Sequence, residues 1–332
     1  MEIGFCKTVG DILTSKLNLL NIYVTNRCNS RCLICGIWKD LPKVDMNINL
    51  LKKLLNDRIA KKAQFCLQGG EFFLHPDYDK ILKLFRGKKF FVETNGILDK
   101  IVIESIIEYD IPSLYISLDG DMDTYKRIRG VDAYNNVLNV ISTCSKLCSV
   151  TIGFTMTPYN DYNDLIHVAE IAKKFKCNLW LNIFGSPPHF KINNFYDQTM
   201  AHSHFQLASL SPLVSKNDQN YIRAYLKGLT LPCLSTRIYS TILPNGDVLF
   251  CQGLNITLGN IKDTTFRDVW FSRKRFSLLR ATHNCQRCAL SCHRKLDATI
   301  LFNLQKFLPA NLSLKLLKEI AQIHLKSYSA NA

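Results

Sequence analysis

Cys28, Cys32 and Cys35 stand three and then two residues apart in the stretch Cys28-Asn29-Ser30-Arg31-Cys32-Leu33-Ile34-Cys35. Three thiolates from one short loop can each grip a different iron of a cubane cluster, leaving the fourth iron open to bind a small molecule and pass it an electron. A zinc knot or three reactive thiols are the alternatives, although zinc sites favour four ligands and two-residue gaps. A second group, Cys233, Cys251, Cys285, Cys288 and Cys292, lies further along the chain, and four of its thiolates could close another centre of iron-sulfur or zinc type. The remaining five of the thirteen cysteines, Cys6, Cys66, Cys144, Cys148 and Cys177, are scattered and read as ordinary buried residues. Met1 to Val9 lacks the basic-then-apolar layout of a signal peptide, so the thiols are expected to be reduced in a cytoplasmic protein rather than paired in disulfides.

The elements that must position these thiols alternate between short apolar runs and helical periodicity. Strands are predicted over Leu20–Thr25, Ala63–Gln68, Lys89–Glu93, Ser113–Leu118, Ser149–Thr155 and Asn178–Ile183. Helices are predicted between them near Leu50–Ile59, Tyr78–Phe85, Leu98–Tyr109, Tyr134–Cys144 and Leu165–Phe175. Repeated right-handed crossovers curl such a series into a partial barrel or an open sheet, with the loops after the strands gathered on one face. The first cysteine loop follows the first strand. Gln68-Gly69-Gly70-Glu71 ends the second, Glu93-Thr94-Asn95-Gly96 the third, and Ser117-Leu118-Asp119-Gly120 the fourth. Taken singly, each of these could be plain turn chemistry.

In this order the motifs resemble the radical SAM superfamily, whose founding motif is Cys-x3-Cys-x2-Cys after the first strand of a partial (β/α)6 barrel. The resemblance implies a 4Fe-4S cluster on Cys28, Cys32 and Cys35, with S-adenosyl-L-methionine held by Gly69, Gly70, Glu71, Asn95, Ser117, Asp119 and Arg129. Arg127 and Arg129 belong to Tyr125-Lys126-Arg127-Ile128-Arg129-Gly130, which is similar to a segment that commonly follows. Phe72 and Ile34 depart from the family's usual proline and aromatic residue, and neither change removes a ligand. The second cysteine group resembles the SPASM/Twitch extension, in its single-cluster Twitch layout. This implies a second 4Fe-4S cluster on Cys233, Cys251, Cys285 and Cys288, with Cys292 as a competing ligand. The stretches Leu258-Gly259-Asn260-Ile261 and Phe266-Arg267-Asp268-Val269-Trp270 also match what joins the two cysteine pairs in that family. The organisation expected is a radical SAM barrel over 1–184, a connector with one helix over 185–232, a SPASM/Twitch-like domain over 233–295, and a basic helical tail over 296–332. Within the third part, Pro244-Asn245-Gly246-Asp247 is expected to turn a tight hairpin by positive φ angles.

The resemblance implies reductive cleavage of S-adenosylmethionine to a 5'-deoxyadenosyl radical that takes hydrogen from a substrate, fed by a reducing donor such as flavodoxin or ferredoxin. A chain of 332 residues, 47% hydrophobic, can bury the core this fold needs, and it carries no run of eighteen apolar residues for a spanning helix. The formal charge of +15 attracts anionic partners without choosing among them, and a solvated lysine-rich surface accounts for it equally well. About twenty residues precede the first strand, which leaves no room for a peptide-recognition domain there. A small-molecule or sugar-like substrate, of a kind that can be anionic, is therefore the leading expectation, with peptide maturation the enzymatic alternative. A zinc-stabilised nucleic-acid-binding protein is the alternative of another class, although the chain lacks the basic and aromatic platform that such proteins use. Histidines 75, 167, 189, 202, 204, 283 and 293 show no spacing with carboxylates that specifies a further metal site. His202 and His204 fall in the connector, which could border the substrate opening.

Overall fold

The computed structural model describes residues 5–185, 188–192, 212–282, 285 and 291–327. Helix α1 (Phe5–Leu13) leads into β1 (Leu19–Tyr23). There follow α2 (Ile48–Asn56), β2 (Gln64–Gln68), α3 (Tyr78–Phe85), β3 (Phe90–Thr94), α4 (Asp99–Tyr109), β4 (Ser113–Ser117), α5 (Met122–Arg129), α6 (Tyr134–Cys144), β5 (Ser149–Met156), α7 (Tyr162–Lys174) and β6 (Asn178–Ile183). After α8 (Lys216–Leu226) come β7 (Tyr239–Ile242), β8 (Asp247–Cys251) and β9 (Ile256–Asn260). The helices α9 (Phe266–Trp270), α10 (Arg273–Thr282), α11 (Ser291–Leu304) and α12 (Ala310–Ser327) complete the described chain. The strands form one sheet in the order β6-β5-β4-β3-β2-β1-β7-β8-β9, parallel from β6 through β7 and antiparallel beyond. Its end strands β6 and β9 do not pair with each other, so the architecture is α/β with a partial, unclosed barrel.

The two faces of the six parallel strands differ because side chains alternate along a strand. One face carries Leu20, Ile22, Phe65, Leu67, Val92, Leu114, Ile116, Ile152 and Leu181, all nearly inaccessible and packed into the core beneath the helices. Burial of each such side chain stabilises the fold by roughly 1.5–3 kcal/mol. The opposite, concave face carries the alternate residues, among them Asn21, Glu93, Tyr115, Thr155 and Asn182. These keep partial access, as the alternating burial of β3 and β4 shows. A closed eight-stranded barrel would fill this interior with side chains; here the sheet stays open and this face keeps polar groups partly accessible.

The expected strands and most helices are present within a few residues, with three differences. Helix α5 occupies Met122–Arg129, where no helix is predicted. It is capped by Asp121, whose side chain accepts from Thr124 N, and ends at Gly130 with φ of 67°. The hairpin between β7 and β8 uses positive φ at Gly246 and not at Asn245. Gly246 N donates to Leu243 O (2.9 Å), so Pro244 and Asn245 form the centre of an ordinary turn and the glycine follows it in the left-handed region. The hairpin also continues the barrel sheet, because β7 pairs with β1 through Asn21↔Thr241. Lys53 Nζ donates to Ile261 O (2.6 Å), and Asp57 Oδ2 accepts from Arg267 N (2.9 Å), fastening the extension to the end of α2. Among the described residues, no helix is long and apolar enough to cross a membrane.

Candidate active site

The first cysteine loop is held from both flanks by backbone. On one flank Gly70 N donates to Thr25 O (2.8 Å) and Glu71 N to Arg27 O (2.7 Å). A Cβ at Gly70 would stand 2.4 Å from Arg27 O and 2.9 Å from Cys28 Cβ, and one at Gly69 would stand 2.7 Å from Thr25 O. The two glycines therefore bring the end of β2 against the cysteine loop itself, which no larger residue permits. On the other flank Arg31 N donates to Arg129 O and Leu33 N to Ile128 O, both at 2.9 Å, joining the loop to the end of α5. Arg27 Nε and Thr25 Oγ1 both bind Asp45, and Gly36 N donates to Phe190 O (2.7 Å). The loop is thus fixed at its beginning, middle and end.

The three thiols are free of disulfides; Cys35 feels the charge of both others, and Cys28 that of Cys32. Burial pushes Cys28 up to about 11 and Cys35 up to about 12, against the lowering effect of nearby backbone N–H groups. Cys32 Sγ lies 3.0 Å from Ser30 Oγ and 3.8 Å from Arg129 Nη1. The Cys28 and Cys35 thiols stay protonated until a metal displaces the protons. Among the described residues, no three His, Cys, Asp or Glu side chains gather as ligands of one metal ion. A cubane asks for something else, since each thiolate takes a different iron and the sulfurs need not share a point. Three unpaired thiols on one anchored loop, with an arginine beside one of them to offset negative charge, fit that group.

The remaining expected cofactor contacts surround this loop. Glu71 is buried and accepts from Thr94 Oγ1 (2.7 Å), Asn95 N (2.7 Å) and Phe73 N (3.2 Å), while burial raises its carboxyl above the usual range. Its side chain therefore ties the end of β2 to the end of β3. Asn95 reaches back to the cysteine loop, donating to Asn29 Oδ1 (2.8 Å) and lying 3.9 Å from Cys28 Sγ. Asp119 is fully buried, pairs with Arg129 and accepts from Thr155 N (2.8 Å). Ser117 ends β4 on the concave face, partly accessible. Gly69, Gly70, Glu71, Asn95, Asp119 and Arg129 are thus linked to one another or to the Cys28 loop at one end of the sheet.

The second group is less complete. Cys251 ends β8, buried, with its sulfur accepting from Gly253 N (3.2 Å), while Cys233 and Cys285 are partly exposed. Cys288 and the side chain of Cys292 lie outside the described residues, as do His202 and His204. Sequence reasoning passed over several groups near both cysteine sets. Gln252, beside Cys251, donates to Tyr23 OH (3.1 Å), and the Tyr23 ring meets His189 edge to face at 4.8 Å. Burial and Lys191 lower His189 to about 4, so it is neutral at ordinary pH. Tyr115 was missed as well, and Glu93 entered only within the motif that closes the third strand, with no role of its own; the signal was a lone acid and a tyrosine at alternate positions of otherwise apolar strands.

The profile of the radical SAM superfamily matches residues 22–172, and that of the SPASM iron-sulfur cluster-binding domain matches residues 233–293. The chain belongs to the radical SAM superfamily. It is an enzyme of that group carrying a SPASM domain, and the first match spans every motif from the Cys28 loop to Arg129. The GTP 3',8-cyclase of Clostridium acetobutylicum is 28% identical over 163 residues, covering 45% of this chain and 50% of that protein. The GTP 3',8-cyclase of Campylobacter jejuni subsp. doylei is 28% identical over 188 residues, covering 51% and 56%. The radical SAM chain thus spans about half the length of the curated relatives it matches. Among solved structures, Streptococcus suis SuiB bound to S-adenosylmethionine superimposes with a TM-score of 0.61 at 17% identity, covering 80% of this chain and 68% of that one. Native anSMEcpe with bound AdoMet gives 0.61 at 17% identity, covering 95% and 99%. At such identities these two likenesses speak for the fold.

Proposed function

We propose that this enzyme reductively cleaves S-adenosylmethionine at a 4Fe-4S cluster held by Cys28, Cys32 and Cys35, and uses the product to take hydrogen from a small-molecule or sugar-like substrate. The observation that carries this reading is the joining of the Gly69-Gly70 turn to the cysteine loop, through Gly70 N to Thr25 O and Glu71 N to Arg27 O. When bound, the cluster and S-adenosylmethionine supply the electron and the cleavable carbon–sulfur bond. The chain's own residues orient and enclose. Glu71 and Asn95 fix the ends of β2 and β3 against the cysteine loop, and the Asp119–Arg129 pair locks α5 beside Cys32. The concave face of the sheet then offers hydroxyl, amide and carboxylate groups to a substrate.

A second 4Fe-4S cluster on Cys233, Cys251, Cys285 and Cys288, with Cys292 competing for a place, belongs to the same proposal. The iron-sulfur profile over 233–293 supports it against structural zinc, and with it weighs against a zinc-stabilised nucleic-acid-binding protein. Gln252 connects Cys251 to Tyr23 on the concave face, which suits a centre that receives an electron from the substrate or holds it. Peptide maturation is the second reading, supported by the likeness in fold to SuiB, which is known bound to the precursor peptide SuiA. Anaerobic reconstitution followed by reductant and S-adenosylmethionine tests the main reading. Formation of 5'-deoxyadenosine with roughly seven to eight irons per chain is expected; intact clusters that never yield 5'-deoxyadenosine would refute it.

A further inference from the structure

Among the described residues, the concave face carries one carboxylate that the fold does not employ. Glu71 is engaged by three donors, and Asp119 by Arg129 and a backbone N–H. Glu93 differs. Its strand neighbours Val92 and Thr94 are buried on the helix side, whereas Glu93 points to the concave face and stays partly accessible. Among the described residues its carboxylate makes one hydrogen-bond contact, a weak one with Cys66 Sγ at 3.8 Å. The groups that face it are Cys66 and Glu71 from β2 and its end, Arg129 from α5, and Tyr115 from β4, opposite in register. Arg129 is already committed to Asp119.

Next to Glu93 the concave face carries neutral hydrogen-bonding groups, and the Lys295 ammonium over the Trp180 ring at the far end of the row is paired with Asp218. Gly153 leaves room for the Tyr115 ring to cross β5, since a Cβ there would stand 2.4 Å from the ring, and Tyr115 OH accepts from Asn182 Nδ2 (3.1 Å). Trp180 Nε1 donates to Asn182 Oδ1 (3.1 Å), closing the row at β6. A carboxylate in such a place is costly while it lacks a cationic partner. A protonated amine would satisfy it with charge-assisted hydrogen bonds.

The geometry points to Glu93 as a specificity-determining residue that receives a cationic amine of the substrate, with Tyr115 and Asn182 beside it for the polar remainder. The substrate class is thereby an amine-bearing, hydroxyl-rich small molecule, an amino sugar in kind, and not the anionic metabolite that the chain's net charge suggests. The inference rests on the proposed function above, since it places this substrate on the concave face beside the Cys28 loop.

Binding of three matched probes, glucosamine, glucose and gluconate, to the reconstituted enzyme near neutral pH, where the amine keeps its proton, tests it by equilibrium dialysis. Glucosamine is expected to bind about tenfold tighter than glucose, with gluconate weakest. Glu93→Gln is expected to erase that order, and Glu93→Asp, which retains the charge, to preserve it. Equal binding of the three probes by the wild type, or an order that survives Glu93→Gln, overturns the inference. So does a Glu93→Gln enzyme whose affinity for S-adenosylmethionine falls more than its preference for glucosamine, because the carboxylate would then serve the cofactor. The parent reading fails separately: it falls if the wild type forms no 5'-deoxyadenosine, whatever the probes do.

Discussion

The two cysteine groups of this enzyme are built on opposite principles. Cys28, Cys32 and Cys35 come from eight consecutive residues, and that loop is bonded to the ends of β2 and α5 and to Phe190. Cys233, Cys251 and Cys285 come from three separated places, before β7, at the end of β8 and after α10, and the sheet must form before they can approach. A local site can tolerate loss of a distant element but not of the neighbour that clamps it; a dispersed site depends on its scaffold. Substitutions that separate these dependencies sharpen the contrast.

The largest effect is expected from Cys32→Ala. It should remove the first cluster and lower 5'-deoxyadenosine formation by about a thousandfold or more, whereas Cys251→Ala should cost about four of roughly eight irons and leave the first cluster's signal present by electron paramagnetic resonance. Equal loss of both signals in either variant would break the comparison. Gly70→Ala comes next. Its Cβ would stand 2.4 Å from Arg27 O, so the β2 turn and the cysteine loop must separate, and 5'-deoxyadenosine formation should fall by about a hundredfold with the second cluster retained. Iron content and turnover measured together check this.

Arg129→Met leaves Asp119 buried without its partner beside Cys32, and a loss of about 3–5 kcal/mol is expected in denaturant unfolding of the reconstituted enzyme. The smallest effect concerns Glu93. Burial raises its carboxyl to about 7, so between its unfolded value and that pH the native state binds more protons than the unfolded chain. Stability contributed there falls as pH rises. Glu93→Gln should accordingly melt a few degrees above the wild type at alkaline pH, with the two converging near pH 4–5. A variant less stable than the wild type above pH 7 would show that the carboxylate has a cationic partner within the protein.

What could be read from the sequence divides along the same line. The Cys28 loop, Gly69-Gly70, Asn95 and Asp119 were legible because each motif closes a strand whose apolar run is itself visible, and parallel order brings strand ends together. Helix α5 was not recognised, although Asp121 and Gly130 are its capping signals, because its exposed face is highly charged and its apolar stripe is short. The pairing of β7 with β1 could not be foreseen. It joins residues more than two hundred positions apart, and nothing in either short strand names its partner. Gly69 and Gly70 are expected to hold the cofactor, and the structure adds that they make room for the backbone of Thr25 and Arg27. Glu93 was hidden for a related reason: a single acid in a strand gains meaning when the curvature of the sheet shows which face is hollow.

The Cys28 loop is proposed to hold a cluster with one iron left open for S-adenosylmethionine. Electron paramagnetic resonance of the reduced Cys233→Ala/Cys251→Ala enzyme, in which the first cluster stands alone, tests it most directly. The account predicts a 4Fe-4S signal whose shape changes when S-adenosylmethionine is added. A signal of that type indifferent to S-adenosylmethionine would contradict it.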